Sequence, residues 1–174
     1  MKLIVTRTGS NWMGIACAAL LASAVFVRGA RGEEVVKSYT VAGRASVQVN
    51  TNDGGVRVTT SDTKQVEFRV EYHGFELGKN LTVDARQNGD TVELTARITG
   101  HWNWSWGKNA RGLHIEVRMP READLKVETG DGAVQADSIH GNVFIHTGDG
   151  SVKANSLAGS IDFPASSKDG GKTK

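Results

Sequence analysis

Cysteine is almost missing: Cys17 is the sole one among 174 residues. It lies inside an apolar N-terminal run, so everything after that run lacks a thiol. Disulfides, cysteine nucleophiles and cysteine-based metal sites are excluded together. Long hydrophobic stretches are also lacking. The longest, Gly14 to Val27, is about 14 residues, short of the roughly 20 that span a bilayer as a helix. No later stretch keeps a helical period. An excess of basic charge is missing as well, because Lys2, Arg7, Arg28 and Arg31 precede residue 33 and no acid does. From residue 33 onward, 17 basic residues face 19 acidic ones. A nucleic-acid binder carries a basic footprint, and this stretch has none.

What is present begins with a basic start, the apolar run and the small residues Ala30-Arg31-Gly32, an A-x-G cleavage pattern. Residues 1–32 therefore read as a secretory signal peptide, with an uncleaved anchor as the alternative. Positions Gly14, Ile15 and Ala16 before Cys17 do not make a lipobox, and most of the apolar run follows the cysteine. Residues 33–164 read as one domain. Residues 165–174, all Ala, Ser, Lys, Asp, Gly and Thr, read as a disordered tail with nothing to bury. Pro164 just before it lacks an N–H and blunts strand addition. An exported protein follows: periplasmic, cell-surface or extracellular, with no membrane span once the signal is removed.

The domain alternates apolar and polar residues, the period of half-buried strands. Val66, Phe68, Val70 and Tyr72 alternate with Glu67, Arg69 and Glu71; Leu113, Ile115, Val117 and Met119 alternate with His114, Glu116 and Arg118. Asp-Gly and Asn-Gly pairs punctuate the strands as turns. The chain is expected to be all-β.

Its C-terminal half repeats. Leu125 to Asn142 recurs as Val143 to Ser160, and Thr129-Gly130-Asp131-Gly132 recurs as Thr147-Gly148-Asp149-Gly150. A further strand–turn–strand copy aligns Thr51-Asn52-Asp53-Gly54 on Thr129 to Gly132, Val47 and Val49 on Leu125 and Val127, and Val56 and Val58 on Val134 and Ala136. A fixed short period means one unit stacked on copies of itself. The expected architecture is a β-solenoid or β-roll of 18-residue rungs, with a more elaborated β-rich N-terminal half. Residue i should pair with i+18 in parallel. Leu125, Val143 and Ile161 would form one apolar column, and Val127, Ile145 and Phe163 another. Val127, Val134 and Ile145 should be buried, Glu128 and His146 exposed.

Three features invite a chemical reading. The turns at Asp53-Gly54, Asp131-Gly132 and Asp149-Gly150 resemble calcium-binding β-roll turns, but each repeat offers one carboxylate where Ca²⁺ takes six to eight oxygens. They read as structural, with Asp capping its own turn and Gly adopting positive φ. No metal or cofactor is expected. Trp102, Trp104 and Trp106 alternate between Gly100 and Gly107, and on a strand they share one face. Such a row serves as a binding patch, or packs as a lid over one end of the sheets. His73, His101, His114 and His140 are scattered, and His146 is the repeat equivalent of Glu128, with which it should pair weakly on an outer face. No Gly-x-Ser-x-Gly elbow occurs.

Leu113-His-Ile-Glu-Val-Arg-Met119-Pro120, Asp124-Leu-Lys-Val-Glu-Thr-Gly-Asp-Gly132 and the repeated Gly-Asp-Gly rungs resemble the bacterial putative adhesin family of β-strand repeats. That family is related to the head domains of auto-transporter-adhesin-like proteins. The resemblance runs from Val35 to Phe163. It implies a secreted or envelope-anchored protein with no established activity, cofactor or catalytic residue. Members often continue beyond two full rungs. The functional expectation is a non-enzymatic binding module whose partner is a glycan or an envelope or surface protein. A carbohydrate-active enzyme on a β-helix-like scaffold would need an acid pair in a groove by the Trp segment. A structural envelope protein without a ligand is the third class.

Overall fold

A computed structural model describes residues 23–29, 32–100 and 111–162, with side chains from residue 33. All regular structure among them is strand: β1 (Ser23–Gly29), β2 (Gly32–Thr40), β3 (Ala45–Asp53), β4 (Gly55–Ser61), β5 (Gln65–His73), β6 (Leu81–Asn88), β7 (Thr91–Ile98), β8 (Gly112–Pro120), β9 (Ala123–Asp131), β10 (Val134–Asp137), β11 (Val143–Thr147), β12 (Val152–Asn155) and β13 (Ile161–Asp162). No described helix is long and apolar enough to cross a membrane.

Period-2 patterning becomes burial on alternate residues. In β5, Val66, Phe68, Val70 and Tyr72 are buried while Glu67 and Arg69 are half-exposed. Inward side chains of two sheets form one apolar core. The larger sheet runs β1-β2-β5-β8-β4-β10-β12 and the smaller β13-β11-β9-β3-β7-β6. Tyr39 joins them near one edge: its ring meets Phe68 edge-on at 6.4 Å, and its hydroxyl donates to the Ala85 carbonyl at 2.7 Å. Burial, and next to it the charge of Asp84, holds the Tyr39 hydroxyl above its ordinary pKa.

The all-β expectation holds. The solenoid does not: the two sheets are mixed and do not close into one. A solenoid needs every strand parallel to its neighbours. Here β2 and β5 run antiparallel to their neighbours in the larger sheet, and β6 runs antiparallel to β7 through the Gly89-Asp90 turn. The parallel pairings are nonetheless in the expected register. Leu125 pairs with Val143 and Val143 with Ile161 in the smaller sheet; Val134 pairs with Val152 in the larger. The copy at Val47 stacks directly on the next, with Val47 beside Leu125, Thr51 beside Thr129 and Val56 beside Val134.

The core ends before the strands do. Leu125 and Val143 are each 2% exposed, whereas Ile161 in the same column is 44% exposed. Ile161 is the last described apolar member, and Phe163 lies outside the described residues. Val127, Val134 and Ile145 are buried as expected. Glu128 and His146 are half-buried, not exposed.

Candidate functional site

Four strand pairs cross from the smaller to the larger sheet at one end of the sandwich: β3–β4, β7–β8, β9–β10 and β11–β12. Three of these crossings are the repeated turns. Asp53 stands beside Asp131 in register, and Gly54 N–H donates to the Asp131 carbonyl at 3.1 Å. Asp149 N–H reaches the Gly130 carbonyl at 3.0 Å. The turns are thus laced to one another backbone to backbone.

That lacing corrects the expected role of glycine. Gly54 has φ near 100°, but Gly132 and Gly150 are not among the positive-φ residues. Their lack of a Cβ serves close approach instead. A Cβ on Gly132 would collide with the Gly54 carbonyl, and one on Gly150 with the Gly132 carbonyl. The left-handed positions of the repeat fall on Ser138 and Ser156, with φ of 60° and 52°.

Asp53 Oδ1 accepts from the Gly54 N–H at 2.6 Å, the expected cap. In the last turn Thr147 Oγ1 accepts from the Gly150 N–H at 3.0 Å and donates to the Gly132 carbonyl at 3.3 Å. Thr51 Oγ1 donates to the Asp53 carbonyl at 2.6 Å. Among the described residues no three His, Asp or Glu come together to hold a metal.

The fourth crossing is the connection 99–111, and Trp102, Trp104 and Trp106 in it lie outside the described residues. Its two roots are described. Asn52 clasps Ile98 through both backbone groups, donating from Nδ2 to the carbonyl at 2.8 Å and accepting from the N–H at 2.9 Å. On the far side Arg111 lies over the Phe75 ring at 5.8 Å, and Gly112 backs onto the His73 ring. Leu77, in the neighbouring β5–β6 connection, is 39% exposed. The described ends of this connection, Ile98 and Arg111, therefore lie at the turn end, beside Asn52 and Phe75.

The histidines stay apart. His101 lies outside the described residues. His114 Nε2 is 3.9 Å from Glu116. His146 stands in register with Glu128 but does not pair with it: Glu128 accepts from Asn50 at 3.2 Å and meets Lys126 at 3.1 Å. At the opposite end the structure shows a clamp that the sequence pattern did not reveal. Asp124 accepts from the Asn142 N–H at 2.8 Å and from Arg44 at 3.2 Å, and Arg44 also donates to the His140 carbonyl at 3.0 Å. Burial pushes the Asp124 carboxyl up, but the Asn142 N–H and the Arg44 charge outweigh it and hold the carboxyl below its ordinary pKa.

No family model matches the chain, and no curated protein does. Solved structures do. One from Clostridium sporogenes, described as a putative cell adhesion protein, is 16% identical, with a TM-score of 0.54 over 76% of this chain and 68% of its own. The likeness is one of fold. Proteins described as putative adhesins from Parabacteroides merdae and Bacteroides fragilis are each 9% identical, with TM-scores of 0.35 and 0.31. Each match covers 75% of this chain, and respectively 57% and 96% of the other.

Proposed function

We propose that this protein is a non-enzymatic binding module that engages its ligand at the turn end of the sandwich. One observation carries the reading. Three crossings at this end turn tightly, on Gly54 alone, on residues 132–133 and on residues 148–151, while the fourth runs through residues 99–111. A rigid scaffold with one enlarged connection is a common way to bear a binding loop. Trp102, Trp104 and Trp106 supply a concentrated contact surface of the residue type most enriched at binding hot spots. The partner is a glycan, which stacks on indoles, or an envelope or surface protein. The fold shared with a protein described as a cell adhesion protein supports this reading, although fold alone does not assign function. We read the 18-residue strand pairs as rungs of the β-strand-repeat adhesin type, akin to auto-transporter-adhesin-like heads.

Export belongs to the same proposal. Residues 1–32 act as a signal and are removed, which takes β1 away and leaves β2 as an edge strand. The N-terminal mass of the exported protein tests this directly.

The binding test sets Trp104→Ala beside the unaltered protein on a glycan array and in denaturant unfolding. Binding should vanish while the unfolding midpoint stays in place. A stability loss of about 3–5 kcal/mol, the range for truncating a core aromatic, would put the indole inside and end the proposal.

A further inference from the structure

The outer face of the larger sheet holds a groove of about 330 Å³, well along β8 from the root of the tryptophan connection. It is lined by Thr59, Thr60, Glu67, Arg69, Glu116 and Arg118. Cross-strand partners of opposite charge normally attract one another. Glu67 is the partner of Arg118, and Arg69 that of Glu116, yet neither pair closes into an ion pair. Glu67 instead faces Arg69 along its own strand at 3.8 Å, Arg69 reaches Glu34 at 3.2 Å, and Glu116 lies 3.9 Å from His114. The threonine hydroxyls are already engaged, Thr59 donating to the Val117 carbonyl at 3.4 Å and Thr60 to the Ser138 carbonyl at 3.2 Å. Arg118 is exposed and has no hydrogen bond or ion pair with any described residue. The groove therefore sets one unengaged guanidinium between two carboxylates.

We propose that this groove binds a uronic-acid unit of an acidic glycan, a site separate from the turn end. The sugar carboxylate docks on the guanidinium fork of Arg118, the geometry in which arginine recognises carboxylates bidentately. Ring hydroxyls beside it donate to the Glu67 and Glu116 carboxylates, which as ionised groups are pure acceptors. The same two carboxylates set the class. They repel a ligand of dense negative charge, which disfavours sulfated or phosphorylated sugars, and a neutral sugar leaves Arg118 without its counter-charge.

The test titrates the full chain with a trigalacturonide, with maltotriose as the neutral counterpart and with a sulfated heparin trisaccharide, followed by calorimetry. Saturable binding of the trigalacturonide alone is expected. Arg118→Gln should weaken it by about tenfold or more, the loss expected when one charge-assisted pair is removed. Arg118→Lys keeps the charge, loses the fork and should weaken it too. Lys153→Gln lies on β12 at the edge of the larger sheet, away from the groove lining, and should bind like the unaltered protein, as should Trp104→Ala, which probes the turn end alone. Because Arg118 is exposed, its variants should melt with the parent. No trigalacturonide binding, equal binding of maltotriose, or an equal loss in Lys153→Gln would each overturn the proposal.

Discussion

At the scale of the residue, glycine does two different jobs. Gly89 has φ near 60° and open space around its α-carbon, so what it supplies is backbone freedom. Gly132 has ordinary φ and sits against the Gly54 carbonyl, so what it supplies is room. Asparagine tolerates the left-handed region, hence Gly89→Asn should be nearly neutral. Gly132→Asn should lose about 1–3 kcal/mol, the range for overpacking. Thermal unfolding of both variants checks this, and equal losses would show that room is not what Gly132 provides. Side chains on β11 give a second contrast. Ile145 is 1% exposed and His146 only half-buried with no described partner. Ile145→Ala should lose about 2–5 kcal/mol and His146→Ala little. Comparable losses in denaturant would mean the face is inverted.

At the scale of the element, alternation in the sequence was enough to place most inward residues, because a strand with one buried face tolerates no slip of register. The 18-residue repeat likewise named true neighbours: Leu125 with Val143, Val134 with Val152, and Thr51 with Thr129 over a longer interval. Strand direction was not legible. Val66 to Tyr72 alternates whether β5 runs with or against its neighbours, and the repeat, read as a closed stack of parallel rungs, produced the solenoid expectation. Nor was the Arg44–Asp124 clamp visible, since its partners are brought together only by β3 lying beside β9. That clamp has a pH signature. The folded Asp124 carboxyl lies below its unfolded value, so its stabilisation is present above the unfolded pKa of about 3.9. It is lost as pH falls through the lower folded pKa. The pair is largely solvent-exposed, so the effect is below about 1 kcal/mol. Asp124→Asn should flatten that part of the acid limb in a urea series from neutral to low pH. An unchanged limb would remove the clamp from the stability of this end.

At the scale of the whole molecule, a sandwich held by stacked turns presents one enlarged connection at the turn end and a mixed-charge outer face. If the turn aspartates serve their turns alone, calcium or a chelator leaves the melting temperature unchanged. A rise of several degrees with calcium would reveal a bound ion, because a ligand of the folded state stabilises it by mass action. Composition offers a direct probe of the indoles. Trp12 lies within residues 1–32, and every other tryptophan is Trp102, Trp104 or Trp106. In a chain that starts at residue 33, tryptophan fluorescence therefore reports on this segment alone. The decisive measurement is acrylamide quenching of that fluorescence in the native and the urea-unfolded protein. A solvent-facing binding patch predicts native quenching nearly as strong as in the unfolded chain; a blue-shifted native emission that resists quenching would mean the indoles are core and would contradict the claim.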